Sequence, residues 1–280
     1  MKLIYQKSWF CSVKRIHSGE LLAEASVLGT ELEATGRLKV DQSSFAIKDA
    51  RWEVFRSPAG IFNGSQEAPG LKGTTAYFHI GRDLRREVGE HAGGLARELL
   101  AECVRGIIQS ETFLFRERGF PTLKAYCEHW RKFQVDTCRY QSNLHRVTRR
   151  WNEYVDGLQH GLNLFNRSKN CAVYLLAGGF IVHSGFSDSY HELGLLSRLD
   201  PAGRVEECSG SFLRAPDQVC FECALLPGGL KGLVLAECTK KQLSAIVGGP
   251  QGCEHLADLA EELRKAVVYT LANIREGGIV

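Results

Sequence analysis

The sequence predicts an α+β protein made of two copies of one unit, an antiparallel sheet with helices on one face, joined by a helical insertion. Three observations carry this. Five short stretches recur in the same order at a nearly constant offset, apolar residues alternate in the first part of each copy, and apolar residues fall at helical spacing near its end.

The matches run along the chain. CSVKRIHSGELLAEAS from Cys11 parallels CAVYLLAGGFIVHSGFS from Cys171, and EATGRLKVD from Glu33 parallels ELGLLSRLD from Glu192. FRSP ending at Pro58 matches LRAP ending at Pro216, and Gly70-Leu-Lys-Gly matches Gly229-Leu-Lys-Gly. Val88-Gly with GLARELLAECVRGI matches Val247-Gly with CEHLADLAEELRKAV. The offsets stay between 158 and 160 residues. One match alone is weak; five in order indicate a repeat.

Each element follows from its local pattern. SVKRI, LLAEAS, RLKVD and FAIKDARWEVF alternate apolar and polar residues as half-buried strands do, with Gly and Asp marking the turns between them. A helix closes each copy. In the second, Leu256, Leu259, Leu263, Val267 and Leu271 lie on one helical face. The copies are placed at residues 1–109 and 167–280, with a connector at 110–166 that has no counterpart in either. The connector has helical periodicity, and Pro121 is a start signal for it. It is basic and aromatic, with Arg146, Arg149 and Arg150 among its cations and Trp130, Tyr140, Trp151 and Tyr154 among its rings. Either it is a helical hairpin that frames the two copies, its arginines solvated, or it docks a protein partner or acidic ligand.

Composition limits function. A net charge of +3 on 280 residues gives no reason to expect nucleic acid. No apolar run approaches the roughly 18 residues of a membrane span. The start, MKLIYQKSWFCSVKR, lacks the cleavage pattern of a secretory signal, so a cytoplasmic, reducing setting is expected for the ten cysteines. Isolated cysteines are most often small buried hydrophobes, and Cys11, Cys103, Cys171, Cys208 and Cys238 are expected to be of this kind.

Candidate chemistry gathers in the second copy. SDSYHEL supplies His191 and Glu192 at a strand entry, APDQVCFEC supplies Cys220 and Cys223, and GCEHL supplies Cys253 and His255 at a helix start. At the repeat offset, His191 faces Leu32, Cys220 faces Phe62, Cys253 faces Gly94 and His255 faces Ala96; only Glu192 meets a like residue, Glu33. Loss as a set is what a site confined to one copy produces. Thiolate and imidazole suit zinc, iron and iron–sulfur clusters. The helix dipole favours a thiolate at Cys253. Residues two apart on a helix do not share a face, so Cys253 and His255 reach one metal only if Cys253 lies at or before the cap; otherwise His255 acts through another ligand. CFECALL reads as a strand, which turns Cys223 away from Cys220.

Residues from Cys171 to Tyr269 resemble an uncharacterised bacterial family with the pattern H-[DE]-[ML], C and G-C-x-H-L, here His191-Glu192-Leu193, Cys220 and Gly252-Cys253-Glu254-His255-Leu256. More distantly the same stretch resembles the IscU/NifU iron–sulfur scaffold fold, with Gly203-Arg204-Val205 as its first turn. That resemblance implies ligand places at His191 and Glu192, at Cys220 and at Cys253. The first cysteine of the scaffold is missing here, and its His-Cys pair becomes Gly-Cys-x-His.

The expected function is a metal- or iron–sulfur-binding protein with one site of His191, Glu192, Cys220, Cys253 and His255, holding zinc or iron. The alternatives are a metalloenzyme with an open metal position for a small substrate, and a metal-free binding or assembly protein. No phosphate loop, dinucleotide fingerprint or serine elbow points to a reaction class.

Overall fold

A computed structural model describes residues 1–17, 19–58 and 64–275. The chain is α+β, with antiparallel sheet and packed helices. Its strands are β1 (Lys2–His17), β2 (Glu20–Gly29), β3 (Glu33–Asp41), β4 (Ile47–Arg56), β5 (Gln66–Glu67), β6 (Asn163–Leu176), β7 (Gly179–Asp188), β8 (Glu192–Leu199) and β9 (Val205–Arg214). Its α-helices are α1 (Gly81–Glu87), α2 (Leu95–Ser110), α3 (Leu123–Gln134), α4 (Arg139–Ser142), α5 (Trp151–Val155), α6 (Gln218–Phe221), α7 (Lys240–Val247) and α8 (Glu254–Arg275). Among the described residues no helix is long and apolar enough to cross a membrane.

The chain forms two compact units. One comprises Ser8–Cys127 and Gly157–Ser168; the other, the C-terminal unit, comprises Met1–Lys7, Glu128–Asp156 and Lys169–Val280. Strands β1 and β6 therefore each give residues to both units.

In the first unit the strands follow the order β5-β4-β3-β2-β1. Alternation decides which face is covered: Leu21, Ala23, Ala25 and Val27 of β2 are buried, while their neighbours are partly exposed. Helix α2 packs on β2, β3 and β4 with Leu99, Leu100 and Cys103 fully buried. The approach at Gly36 is so close that a Cβ there would stand 2.8 Å from the Cβ of Leu99.

In the C-terminal unit the order is β6-β7-β8-β9. Phe180, Val182 and Phe186 of β7 and Leu193, Leu195 and Leu199 of β8 join one core with Leu256, Leu259, Leu263 and Val267 of α8. The predicted apolar face of this last helix is the buried one. Lys7 pairs with Glu262 at 2.9 Å inside the unit, with both side chains buried. Burial would raise the Glu262 pKa, but the charges of Lys7, Lys169 and Lys265 outweigh it and hold the carboxyl below the ordinary glutamate range.

The two units share local irregularities. Register shifts fall between Glu33 and Ala34 and between Lys39 and Val40 in one, and between Glu192 and Leu193 and between Arg198 and Leu199 in the other. Isolated bridges join Ala46 to Thr75 and Arg204 to Val234. These places correspond at the same offsets as the sequence matches.

Two local expectations are corrected. The connector is not a long helical hairpin: α3 starts after Thr122, whose Oγ1 accepts from the Ala125 amide at 3.1 Å, and the chain breaks at Asp136, where φ is 59°. Short helices α4 and α5 follow. CFECALL is not a strand either. Asp217 accepts from the Val219 amide at 3.1 Å and caps α6, after which residues 222–230 continue as a 3-10 helix. A short apolar run has no periodicity that separates strand from helix, and the cap decides.

Candidate metal centre

His191 sits in the turn between β7 and β8, and Asp188, the last residue of β7, builds that turn. Its Oδ1 accepts from the amides of Tyr190 at 2.8 Å and His191 at 2.7 Å, and lies 3.2 Å from His191 Nδ1. An aspartate bonding to amides two and three residues on is an Asx turn. Arg214 braces the same turn, donating to the carbonyls of Asp188 at 2.7 Å and His191 at 3.3 Å.

His255 arrives from the first turn of α8. Its ring lies 4.2 Å, centre to centre, from that of His191 and 4.5 Å from Phe186. One ligand atom each from Asp188, His191 and His255 all lie within 4.8 Å of one another. Asp188 is buried and the two imidazoles are partly exposed.

Cys253 Sγ lies 3.7 Å from His255 Nδ1. It immediately precedes α8 and its carbonyl accepts from the Ala257 amide at 3.1 Å, so it occupies the cap. This is the one position from which residues two apart can approach a common point. Burial drives the Cys253 thiol well above its ordinary pKa, against the opposing effect of the Leu256 and His255 amides. The helix start does not win: desolvation outweighs it.

Cys220 lies elsewhere in the C-terminal unit, on α6, and Cys223 follows it on the same helical stretch. Burial pushes the Cys220 thiol up to about 12 and the Cys223 thiol up to about 11. Both also feel Cys138, just before α4. Glu192 is outside the Asp188–His191–His255 group: it is partly exposed on β8, with Oε2 4.0 Å from Arg214 Nε. Sequence reasoning chose Glu192 and missed Asp188. The signal for Asp188 was present in SDSYHEL, an aspartate three residues before the histidine at a turn.

At the repeat offset Asp188 corresponds to Gly29, so it too has no equivalent in the first copy. Phe62, opposite Cys220, lies outside the described residues. The cysteines expected to be packing residues are buried at Cys11, Cys103, Cys171 and Cys208, and partly buried at Cys238. All ten are free thiols.

Two of the connector's arginines, Arg146 and Arg149, bond within the C-terminal unit. Arg146 Nη1 donates to Glu222 Oε2 at 3.2 Å, Arg149 Nε donates to the Pro216 carbonyl at 3.3 Å, and Arg149 lies 4.5 Å over the Tyr154 ring.

Residues 178–269 match a family model described as "Protein of unknown function (DUF2889)". The match covers about a third of the chain and spans the whole Asp188–His191–His255 group, with Cys220, Cys223 and Cys253. The chain matches none of the curated proteins and none of the solved structures. The resemblance to the IscU/NifU scaffold therefore finds no support in these comparisons.

Proposed function

We propose that the C-terminal unit binds one transition-metal ion at Asp188, His191 and His255. The observation that carries this reading is the convergence of their ligand atoms within 4.8 Å. The 3.2 Å contact between Asp188 Oδ1 and His191 Nδ1 is one that a shared proton supports and a cation can replace. Two imidazoles and a carboxylate suit zinc or ferrous iron. An iron–sulfur cluster needs thiolates, which this triad does not supply.

Three protein ligands also favour the second reading, a metalloenzyme, because a catalytic zinc or iron keeps coordination positions open for water or substrate. A thiol nucleophile is disfavoured, since burial raises the Cys253 pKa and so opposes the thiolate. Docking of a protein partner at the connector is the weaker reading of Arg146 and Arg149, both of which bond within their own unit.

We also propose that the two copies descend from one unit by duplication and that only the second kept the ligands. The shared register shifts support the first part, and Gly29, Leu32 and Ala96 at the equivalent places support the second.

The test is elemental analysis of the full chain purified anaerobically without chelator, beside the His191→Ala and His255→Ala variants. The expected result is zinc or iron in the wild type and loss of at least one equivalent in each variant. Equal metal content in all three, or none in the wild type, overturns the reading.

A further inference from the structure

The turn that carries His191 has a counterpart in the first copy, and part of what holds it is the same in both. The Asp188 amide donates to the His191 carbonyl at 2.8 Å, and the Gly29 amide donates to the Leu32 carbonyl, also at 2.8 Å. Arg214 Nη2 donates to the Asp188 carbonyl at 2.7 Å, and Arg56 Nη2 donates to the Gly29 carbonyl at 2.9 Å. Each arginine also approaches a glutamate on the strand after its turn, Glu192 at 4.0 Å and Glu33 at 3.9 Å. Arg56 and Arg214 are equivalent residues, in FRSP and LRAP. The arginine brace therefore belongs to the shared frame and is independent of the ligands.

The second copy adds a support that comes from the connector, which has no counterpart in the first. Tyr154 on α5 donates its hydroxyl to the Tyr190 carbonyl, inside the turn and one residue before His191. Trp151, three residues earlier on α5, meets the Tyr190 ring edge-on at 4.8 Å, and Tyr190 is fully buried. Helix α5 is fixed in its turn. Just before it, the Thr148 and Arg149 amides donate to Asp217 Oδ2, both at 2.9 Å, and the Arg149 guanidinium covers the Tyr154 ring. Glu153 accepts from the Arg150 amide at 2.8 Å and closes the first turn of the helix. The ligands and α5 thus occur together, where the first copy has neither.

We propose that Tyr154, assisted by Trp151, is a positioning residue of the candidate metal centre, and that the connector serves this centre by fixing the Asp188–His191 turn. The proposal rests on the Asp188–His191–His255 reading. Tyr190 is held three ways: its amide donates to Asp188 Oδ1, its carbonyl accepts from Tyr154, and its ring packs on Trp151. His191 follows directly, so fixing Tyr190 fixes the start of the His191 backbone. A turn that is free to move loses that freedom when metal binds, and affinity falls accordingly. Tyr154 acts through the Tyr190 peptide and not as a ligand.

The experiment compares the full-length wild type with Tyr154→Phe, which removes the hydroxyl and leaves the ring under Arg149. Two quantities are read: zinc affinity after chelator has stripped the protein, and backbone amide exchange of the metal-free protein. Zinc affinity should fall about tenfold or more in the variant. Exchange at the Tyr190 and His191 amides should be roughly 3–10-fold faster, with the Leu195 and Leu196 amides of β8 at wild-type rates. A tyrosine that only stabilises the fold would speed exchange throughout the unit and leave the zinc affinity of the folded protein unchanged; that result overturns the proposal. Unchanged exchange at Tyr190 and His191 overturns it as well. A wild type that binds no zinc overturns the metal reading and the positioning role with it, whereas zinc binding that Tyr154→Phe leaves untouched overturns the positioning role alone.

Discussion

Asp188 and Asp217 are aspartates of the same kind, each capping a turn that positions a candidate ligand. Asp217 accepts from four donors on two segments, so Asp217→Ala leaves amides of Thr148, Arg149 and Val219 without their partner. We expect a loss of about 2–3 kcal/mol, read from urea unfolding. Burial alone would raise the Asp217 pKa, but the bonds from Thr148, Val219 and Arg149 outweigh it and lower it. A carboxyl with a depressed native pKa adds stability above its unfolded pKa and loses it as pH falls through the native one. Wild-type stability should therefore fall below about pH 4, and Asp217→Asn should flatten part of that fall. At this scale the sequence was informative about His191, Cys253 and His255 because unusual donors stand out against the first copy. It was silent on Asp188, since an aspartate in a turn looks ordinary until the fold brings it to its partners.

At the scale of elements, the strands and terminal helices were legible because one-sided burial writes a period into the sequence. Leu256, Leu259, Leu263 and Val267 are all buried on α8, and Leu21 to Val27 alternate on β2. CFECALL was misread because a short, mostly apolar run carries no clear period, and the deciding cap, Asp217, lies before it. The correction matters for Cys223, which a strand would turn away from Cys220 and a helix does not. The packing of α2 on β3 provides a separate check. Gly36→Ala should cost about 1–3 kcal/mol by urea unfolding, because its Cβ would meet Leu99 at 2.8 Å. No measurable change would mean that α2 can shift away from the strand at little cost.

For the whole molecule, the repeat boundaries read from sequence do not coincide with the compact units. The C-terminal unit takes Met1–Lys7 from the start of the chain and Glu128–Asp156 from the connector. Sequence offsets locate copies; they carry no information about which strand ends a unit borrows. A fragment of residues 163–280 therefore lacks Lys7, the partner of buried Glu262, and lacks Cys138 and Arg139. We expect it to be less stable than the same unit in the full chain by at least about 3–5 kcal/mol, the usual cost of stranding one member of a buried pair. Adding back residues 1–7 and 128–156 should recover most of that loss.

Metal held by Asp188, His191 and His255 is the central claim, and zinc calorimetry on the full-length chain tests it most directly. Wild type and Asp188→Asn/His255→Ala should be titrated at the same pH, after chelator has removed any bound metal. The variant should lose one binding event or have it weakened more than about 100-fold, since even groups that only orient a ligand are worth about 10–100-fold. Superimposable isotherms for the two proteins would contradict the claim and leave the Asp188–His191–His255 group as a hydrogen-bonded turn packed against a helix start.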